Sequence, residues 1–90
     1  MRAAVVMIDC ARDRIQDVAR EVAGIEGVAE AYSVSGPRDV VAIVRVTDWD
    51  KVATVVTERM VEVDGIEDTE TLFAFRVYSE EELDAAYSWD

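Results

Sequence analysis

The sequence predicts an α+β domain whose elements follow the order β-α-β-β-α-β. Short apolar runs rich in β-branched residues, typical of strands, alternate with segments whose apolar residues recur at helical spacing. In addition, Gly-Ile-Glu occurs at residues 24–26 and again at residues 65–67, each time between a predicted helix and the next strand. This is the element order of the ferredoxin-like plait, in which right-handed crossovers place both helices on one face of a four-stranded antiparallel sheet.

The chain begins with a predicted strand that is followed by a helix. Residues 3–8, AAVVMI, form an apolar run of the kind that is buried on both faces of a sheet. Over residues 11–22 the apolar side chains instead recur at helical spacing, with charged residues on the other side. Asp9 is the predicted N-cap of this helix, because a carboxylate can accept a backbone N–H of the first turn.

A hairpin is predicted in the middle of the chain. Residues 28–34 alternate as a strand, with Val28, Tyr32 and Val34 on one side, and residues 40–46, VVAIVRV, form the most strand-like run. The five residues between them, Ser-Gly-Pro-Arg-Asp, are the strongest turn signal, because glycine has a permissive backbone and proline fixes its own φ. A loop of this length between two strands predicts a hairpin.

The last third of the chain predicts a second helix, a fourth strand and an acidic end. The helix is expected over residues 48–61 and the strand over residues 69–78. A Ser-x-x-Glu capping box at residues 79–82 predicts a short terminal helix. We therefore expect a single domain over residues 1–78 and an acidic helical tail over residues 79–90.

Composition narrows the classes of function. The 90 residues include 20 acidic and 9 basic ones, giving a net charge of -11, so neither nucleic acid nor an anionic membrane surface is an expected partner. Histidine is absent and Cys10 is the single cysteine. No catalytic residue, cofactor or metal site is expected, because the commonest general base and the usual zinc ligands are missing. Without a secretory signal or a membrane-spanning run, the expected location is cytoplasmic.

The central strands are apolar on both faces, whereas the predicted helices cover only one of them. An uncovered apolar sheet face requires a partner. We therefore expect a homodimer in which two sheet faces pack together. The alternative is that the C-terminal segment folds back over the sheet.

Polar groups cluster where the predicted strands end. The hairpin offers backbone amides, the Arg38 guanidinium and the Asp39 carboxylate, while Thr69, Glu70 and Thr71 offer two hydroxyls and another carboxylate. Such groups suit a small zwitterion, because carboxylates bind its ammonium while amides, hydroxyls or a guanidinium bind its carboxylate. The alternative interpretation is an ordinary turn beside ordinary strand hydroxyls.

The segments VSGPRDVVAIVRV and TETLFAFRV, in this order and spacing, resemble the ligand-binding domain of the Lrp/AsnC regulators, also called the RAM domain. The resemblance covers roughly residues 3–77. It implies an αβ sandwich that dimerises through its sheets, often within octameric rings, and binds amino acids or related effectors between dimers. The implied ligand-binding residues are, by position, Ser35, Gly36, Asp39, Thr69, Glu70 and Thr71.

Two departures from the family pattern shape the functional hypothesis. Arg38 stands where the family has an aromatic residue, and we include it in the site as a group that favours a ligand with an extra acid. The helix-turn-helix of the family is not found in this sequence, so the resemblance implies a stand-alone effector-binding domain, which either modulates full-length Lrp/AsnC regulators by assembling with them or binds its ligand independently.

Two other classes of function remain open. One is a dimeric α+β-barrel enzyme of the monooxygenase or isomerase kind, which shares the element order and would need a polar-lined cavity between helices and sheet. The other is an assembly adaptor that binds no ligand.

Overall fold

The computed structural model describes residues 1–78 and residue 80. Four strands form one antiparallel sheet in the order β2-β3-β1-β4, and the helical segments connect β1 to β2 and β3 to β4. The strands are β1 (Arg2–Cys10), β2 (Val28–Ser33), β3 (Val40–Val46) and β4 (Ile66–Phe73). The predicted α+β fold, a ferredoxin-like plait, is confirmed.

Both helical segments combine different helix types. Each of their parts has its own bounds: a 3-10 turn (Arg12–Arg14) before α1 (Ile15–Ala23), and then α2 (Trp49–Thr54), a π turn (Val55–Arg59) and a second 3-10 turn (Met60–Glu62). The second segment therefore matches the helix predicted over residues 48–61 to within one residue at each end. None of the helices in the described residues is long and apolar enough to cross a membrane.

Neither helix begins at the cap that its sequence suggests. Asp9 is not an N-cap, because β1 stays extended through Cys10 and the Asp9 side chain is bonded elsewhere, to Arg38. The Thr-x-x-Asp sequence at residues 47–50 suggests Thr47 as the cap of α2, but the cap is Asp48, whose Oδ1 accepts the backbone N–H of Lys51 at 3.0 Å.

The fourth strand lies earlier in the chain than predicted. It runs from Ile66 to Phe73, not over residues 69–78, because β1 offers no partner beyond the Ala74 N–H bond to the Ala3 carbonyl. Phe75 is fully exposed as a result. The helix predicted over residues 79–90 lies outside the described residues, apart from residue 80.

One face of the sheet packs under the helices and forms the core. Alternate residues of β1 and β3 are completely buried there: Ala4, Val6, Ile8, Val40, Ala42 and Val44. They pack against helical residues that are equally buried, namely Val18, Val22, Val52, Val55 and Met60. Burying this many aliphatic side chains is the main source of stability in a domain of this size.

The other face of the sheet, here called the open face, has no covering layer in the described chain. The strand register places its apolar side chains next to one another: Ala3, Val5, Met7, Tyr32, Val41, Ile43 and Leu72. The expectation of strands that are apolar on both faces is thus met. Phe75, Val77 and Tyr78 are themselves exposed, so the described part of the C-terminal segment does not cover this face.

The second strand contains an irregularity that the sequence pattern did not reveal. The expectation that Val28, Tyr32 and Val34 share one side is wrong, because the pairing with β3 shifts register between Val28 and Glu30. After this shift Val28 and Ala31 pack toward the core, whereas Tyr32 lies on the open face. The bulge therefore adds an aromatic ring to the open face.

Candidate functional site

The hairpin between β2 and β3 projects from one end of the sheet. The Val34 N–H donates to the Asp39 carbonyl at 3.0 Å, which closes the loop. Gly36 has a φ of 112°, in the left-handed region that favours glycine, and nothing lies within 4 Å of the place a Cβ would take. Ser35 and Gly36 are exposed, so a ligand can reach the backbone amides at the tip.

Asp39 fastens the base of the hairpin to the first strand. Its Oδ2 accepts the backbone N–H of Cys10 at 2.9 Å, and its own N–H donates to the Ile8 carbonyl at 3.1 Å. The Cys10 N–H lies where the pairing between β1 and β4 shifts register, so the carboxylate supplies an acceptor at an irregular point of the ladder. Asp39 therefore has a structural role in addition to the predicted ligand-binding role.

Replacing Asp39 tests this structural role. Asp39→Ala leaves the part-buried Cys10 N–H without an acceptor, so we expect the free energy of unfolding to fall by about 1–3 kcal/mol. Asp39→Asn keeps a side-chain oxygen in place and should lose less than about 1 kcal/mol. Urea unfolding of both variants measures the difference, and equal stability of the two would contradict the structural role.

Arg38 crosses the end of the open face and binds acidic residues of two strands. Its Nη1 lies 3.0 Å from Asp9 Oδ2 and 3.9 Å from Asp68 Oδ2, while its Nη2 donates to Glu70 Oε1. The register pairs Asp9 with Asp68 and Met7 with Glu70, so all three carboxylates share this face. These four residues, here called the Arg38 cluster, contain one cation and three anions.

The contacts of Arg38 change the class of ligand that is expected to bind beside the hairpin. A guanidinium already bonded to Asp9 and Glu70 is not free to recruit an acidic group of a ligand, since that group would have to displace a carboxylate. The expectation that Arg38 favours a ligand with an extra acid is therefore not supported by its contacts. The surplus negative charge of the cluster favours a positively charged ligand group instead.

The predicted ligand-binding residues of the fourth strand lie on opposite faces of the sheet. Glu70 lies on the open face beside Arg38, whereas Thr69 and Thr71 pair with Ile8 and Val6 and so lie on the helix face. Thr69 lines a cavity of about 330 Å³ beneath the second helical segment. The structure thus brings Arg38 and Glu70 together, places Ser35 and Gly36 at the loop tip, and puts the two threonines elsewhere.

Two members of the Arg38 cluster, Asp9 and Asp68, were not among the predicted site residues. The alternation of the first strand could have indicated Asp9, because Asp9 continues the series Val5 and Met7 on the open face. A carboxylate at the end of an apolar series points to a cationic partner. Asp68 precedes the predicted start of the fourth strand, so its position depended on the strand boundary.

Cys10, the last residue of β1, lies beside Asp39. Burial, followed by the negative charges of Asp39, Glu67 and Asp9, raises the pKa of the Cys10 thiol. The thiol is therefore protonated at neutral pH, which favours the interpretation of a small buried hydrophobe over that of a reactive nucleophile. Among the described residues, no group of three or more potential ligands is placed to hold a metal ion.

Among the described residues, no polar or charged side chain is fully buried in the layer between helices and sheet, although Thr69 and Thr71 are half-buried on its β4 side. At its rim, Trp49 packs edge-on against Phe73 with ring centroids 5.1 Å apart, and the Arg2 guanidinium lies 5.6 Å from the indole. Trp49 is thus a packing residue at the helix start. The small-enzyme alternative needs a polar-lined cavity in this layer, whose fully buried described side chains are all apolar.

Comparison with known proteins identifies a matching family and individual relatives. The family model of the Lrp/AsnC ligand binding domain matches residues 3–83. The crystal structure of TTHA0845 from Thermus thermophilus is 42% identical with a TM-score of 0.83, and the match covers 89% of this chain and 100% of that one. PF0250, an HTH-type transcriptional regulator of Pyrococcus furiosus, is 33% identical over 66 residues, which are 73% of this chain and 44% of the regulator.

A further solved structure is similar in fold. The transcriptional regulator NMB0573 from Neisseria meningitidis, crystallised as a complex with L-Met, has a TM-score of 0.75 at 18% identity. The match covers 88% of this chain and 53% of that one. The chain thus spans about half the length of the two regulators to which it is similar, and the full length of the Thermus protein.

Proposed function

This chain belongs to the Lrp/AsnC ligand-binding domain family, and from that premise we propose that it binds an amino acid or a similar small zwitterion beside the hairpin at residues 35–39. Membership makes it a regulatory effector-binding domain. The observation that carries the proposal is the juxtaposition of exposed loop amides with the surplus negative charge of the Arg38 cluster and Asp39.

The two halves of a zwitterion match these two groups. The backbone amides of Ser35 and Gly36 are donors for the ligand carboxylate. The carboxylates of Asp39 and Glu70 are acceptors for its ammonium. Because Arg38 is already neutralised by Asp9 and Glu70, we expect neutral or basic amino acids to bind more tightly than acidic ones. The L-Met in the complex of the Neisseria regulator belongs to the preferred class.

A dimer formed through the open face is part of the same proposal. Val5, Met7, Val41 and Ile43 lie side by side there, and packing two such faces together would remove them from water. The hairpin offers only one wall of a ligand site, since its tip is exposed. A neighbouring copy in a higher oligomer, such as an octameric ring, would supply the other wall.

Full-length Lrp/AsnC regulators are the proposed targets. The Pyrococcus protein is an HTH-type regulator, and this chain matches 44% of it. A domain of the same kind could join a regulator oligomer through the same sheet or ring contacts and change its response to the effector. A ligand-free assembly adaptor would use the same contacts, so effector binding is the property that separates the two functions.

A thermal-shift panel of the natural amino acids tests the ligand proposal. At a hundredfold excess over its dissociation constant, a bound effector should stabilise the domain by about 2.7 kcal/mol, which is a rise in Tm of about 10 °C or more. We expect at least one neutral or basic amino acid to give this rise, and aspartate and glutamate to give less. A panel without a stabilising member would favour the adaptor.

Two variants locate the site. Asp39→Asn removes a charge while keeping a side-chain oxygen for the Cys10 N–H, and should reduce the effector shift; Asp17→Asn, an equal charge change on exposed α1, should not. Arg38→Tyr restores the family's aromatic residue and frees Asp9 and Glu70, so the order of preferred ligands should change. An unchanged shift in Asp39→Asn would place the ligand elsewhere.

A further inference from the structure

A groove with basic walls lies at the end of the sheet opposite the hairpin. It has a volume of about 430 Å³ and is bordered by the start of β2, the end of β3 and the second helical segment. The hairpin joins the other ends of the same two strands, so the length of β3 separates this groove from the proposed amino-acid site. Volumes of this size are typical of sites for small molecules.

The charges around the groove have the opposite sign to the charge of the chain. Two basic residues of the second helical segment, Lys51 and Arg59, line it together with one carboxylate, Glu26. Both cations are exposed, and within the described residues neither of them forms an ion pair. In a chain with a net charge of -11, the groove is therefore lined by an excess of positive charge, which favours binding of an anion.

The floor of the groove is apolar and tightly built. Val46 and Val55, which line it, are only 8% and 3% exposed. Gly27 has a φ of 99°, and a Cβ at this position would lie 2.9 Å from Val55 Cγ2 and 3.0 Å from Val46 Cγ1. Only glycine therefore lets the start of β2 approach the two valines this closely.

An unusual helical turn supplies part of the wall. Val55 and Arg59, which both line the groove, are the first and last residues of the π turn, in which the Met60 N–H donates to the Val55 carbonyl. Turns of this type are rare and occur frequently at functional sites. The π turn thus contributes the buried Val55 to the floor of the groove and the exposed Arg59 to its rim.

We propose that this groove binds a small organic anion, with its carboxylate or phosphate head between Lys51 and Arg59 and its carbon part on the two valines. The cationic rim favours an anionic ligand. The apolar floor favours an organic anion over an inorganic one, because it can bury the carbon part of the ligand. This ligand would be recognised independently of the amino acid at the hairpin, because the two sites share no residue.

Titration of ¹⁵N-labelled full chain with three probes tests the proposal: glutarate, propylphosphonate and inorganic phosphate, each at an ionic strength held constant with NaCl. We expect saturable shifts of the amide signals of Gly27, Val46 and Val55 with glutarate or propylphosphonate, and weaker binding of inorganic phosphate. The stronger of the first two probes identifies the head group as carboxylate or phosphonate. If no organic probe saturates, or if NaCl alone reproduces the shifts, the proposal is wrong.

Charge-matched variants distinguish this groove from a general effect of charge. Arg59→Gln and Lys51→Gln should each weaken binding of the effective probe about tenfold, because each removes one charged hydrogen-bond donor. Arg20→Gln makes the same change on α1, where the side chain is 76% exposed, and should leave the affinity unchanged. Equal losses in all three variants, or a loss in Asp39→Asn, would overturn the assignment to this groove.

Discussion

Val41→Asp is expected to convert the proposed dimer into monomers that remain folded. Val41 lies on the open face between Tyr32 and Met7, so its replacement leaves the core under the helices intact. In a symmetric dimer the substitution introduces two unpaired carboxylates into the interface, at about 3 kcal/mol each. The dissociation constant should therefore rise by roughly four orders of magnitude.

Light scattering coupled to size-exclusion chromatography, combined with far-UV circular dichroism, measures both parts of this prediction. Val61→Asp is the matched control, because it makes the same change at a helical residue that is 70% exposed. This control should remain dimeric. A monomeric parent protein, or a Val41→Asp variant that stays dimeric, would rule out the open face as the interface.

Val44→Asp, three residues further along the same strand, should unfold the protein. Val44 is fully buried against the helices, and its neighbours Ala4 and Val28 offer no partner for a charge. Burial at such a site raises the pKa of a carboxyl from about 4 to about 7 or above, so at pH 7 folding must protonate a group that is ionised in the unfolded chain, which costs about 4 kcal/mol. Loss of the buried aliphatic side chain adds about 2 kcal/mol, and the total of about 6 kcal/mol is comparable to the whole stability of a small domain.

Circular dichroism at neutral pH shows whether Val44→Asp is folded. Val44→Ala serves as a milder variant at the same position and should lose about 2 kcal/mol while staying folded, since it removes only part of a buried aliphatic side chain. If Val44→Asp were folded and as stable as Val61→Asp, the assignment of Val44 to the core face would be wrong.

The contrast between Val41 and Val44 also shows how far the sequence alone could lead. The run VVAIVRV predicts a strand that is apolar on both faces, which the structure confirms. Periodicity cannot tell which set of alternate residues lies under the helices, because both sets are aliphatic. Only the register with β1, which pairs Val44 with Ala4 and Val41 with Met7, resolves the faces.

The candidate site was predictable where it depends on local turn chemistry. The Ser-Gly-Pro-Arg-Asp segment predicts the hairpin, and Gly36 has the positive φ that its residue type permits. The contacts of Arg38 with Asp9 and Glu70 join residues 29 and 32 positions apart, so they depend on the sheet order. The start of β4 three residues earlier than predicted is the other reason that Asp68 was missed.

The separation of Thr69 and Thr71 from Glu70 follows from strand geometry. Successive residues of a strand point to opposite faces, so three consecutive residues cannot all contact one ligand through their side chains on a single face. The family resemblance placed them together by position, whereas the structure gives Glu70 to the open face and both threonines to the helix face. A ligand that used all three would have to lie across the edge of β4, the outer strand of the sheet.

The most direct test of effector binding at the hairpin is an amide-shift titration of the ¹⁵N-labelled protein with the amino acid that raises its Tm most. We expect saturable shifts of the Ser35, Gly36 and Asp39 signals, with α1 signals such as that of Val18 unchanged. Saturable shifts confined to other parts of the chain, or no saturable shift at any amino-acid concentration, would contradict it.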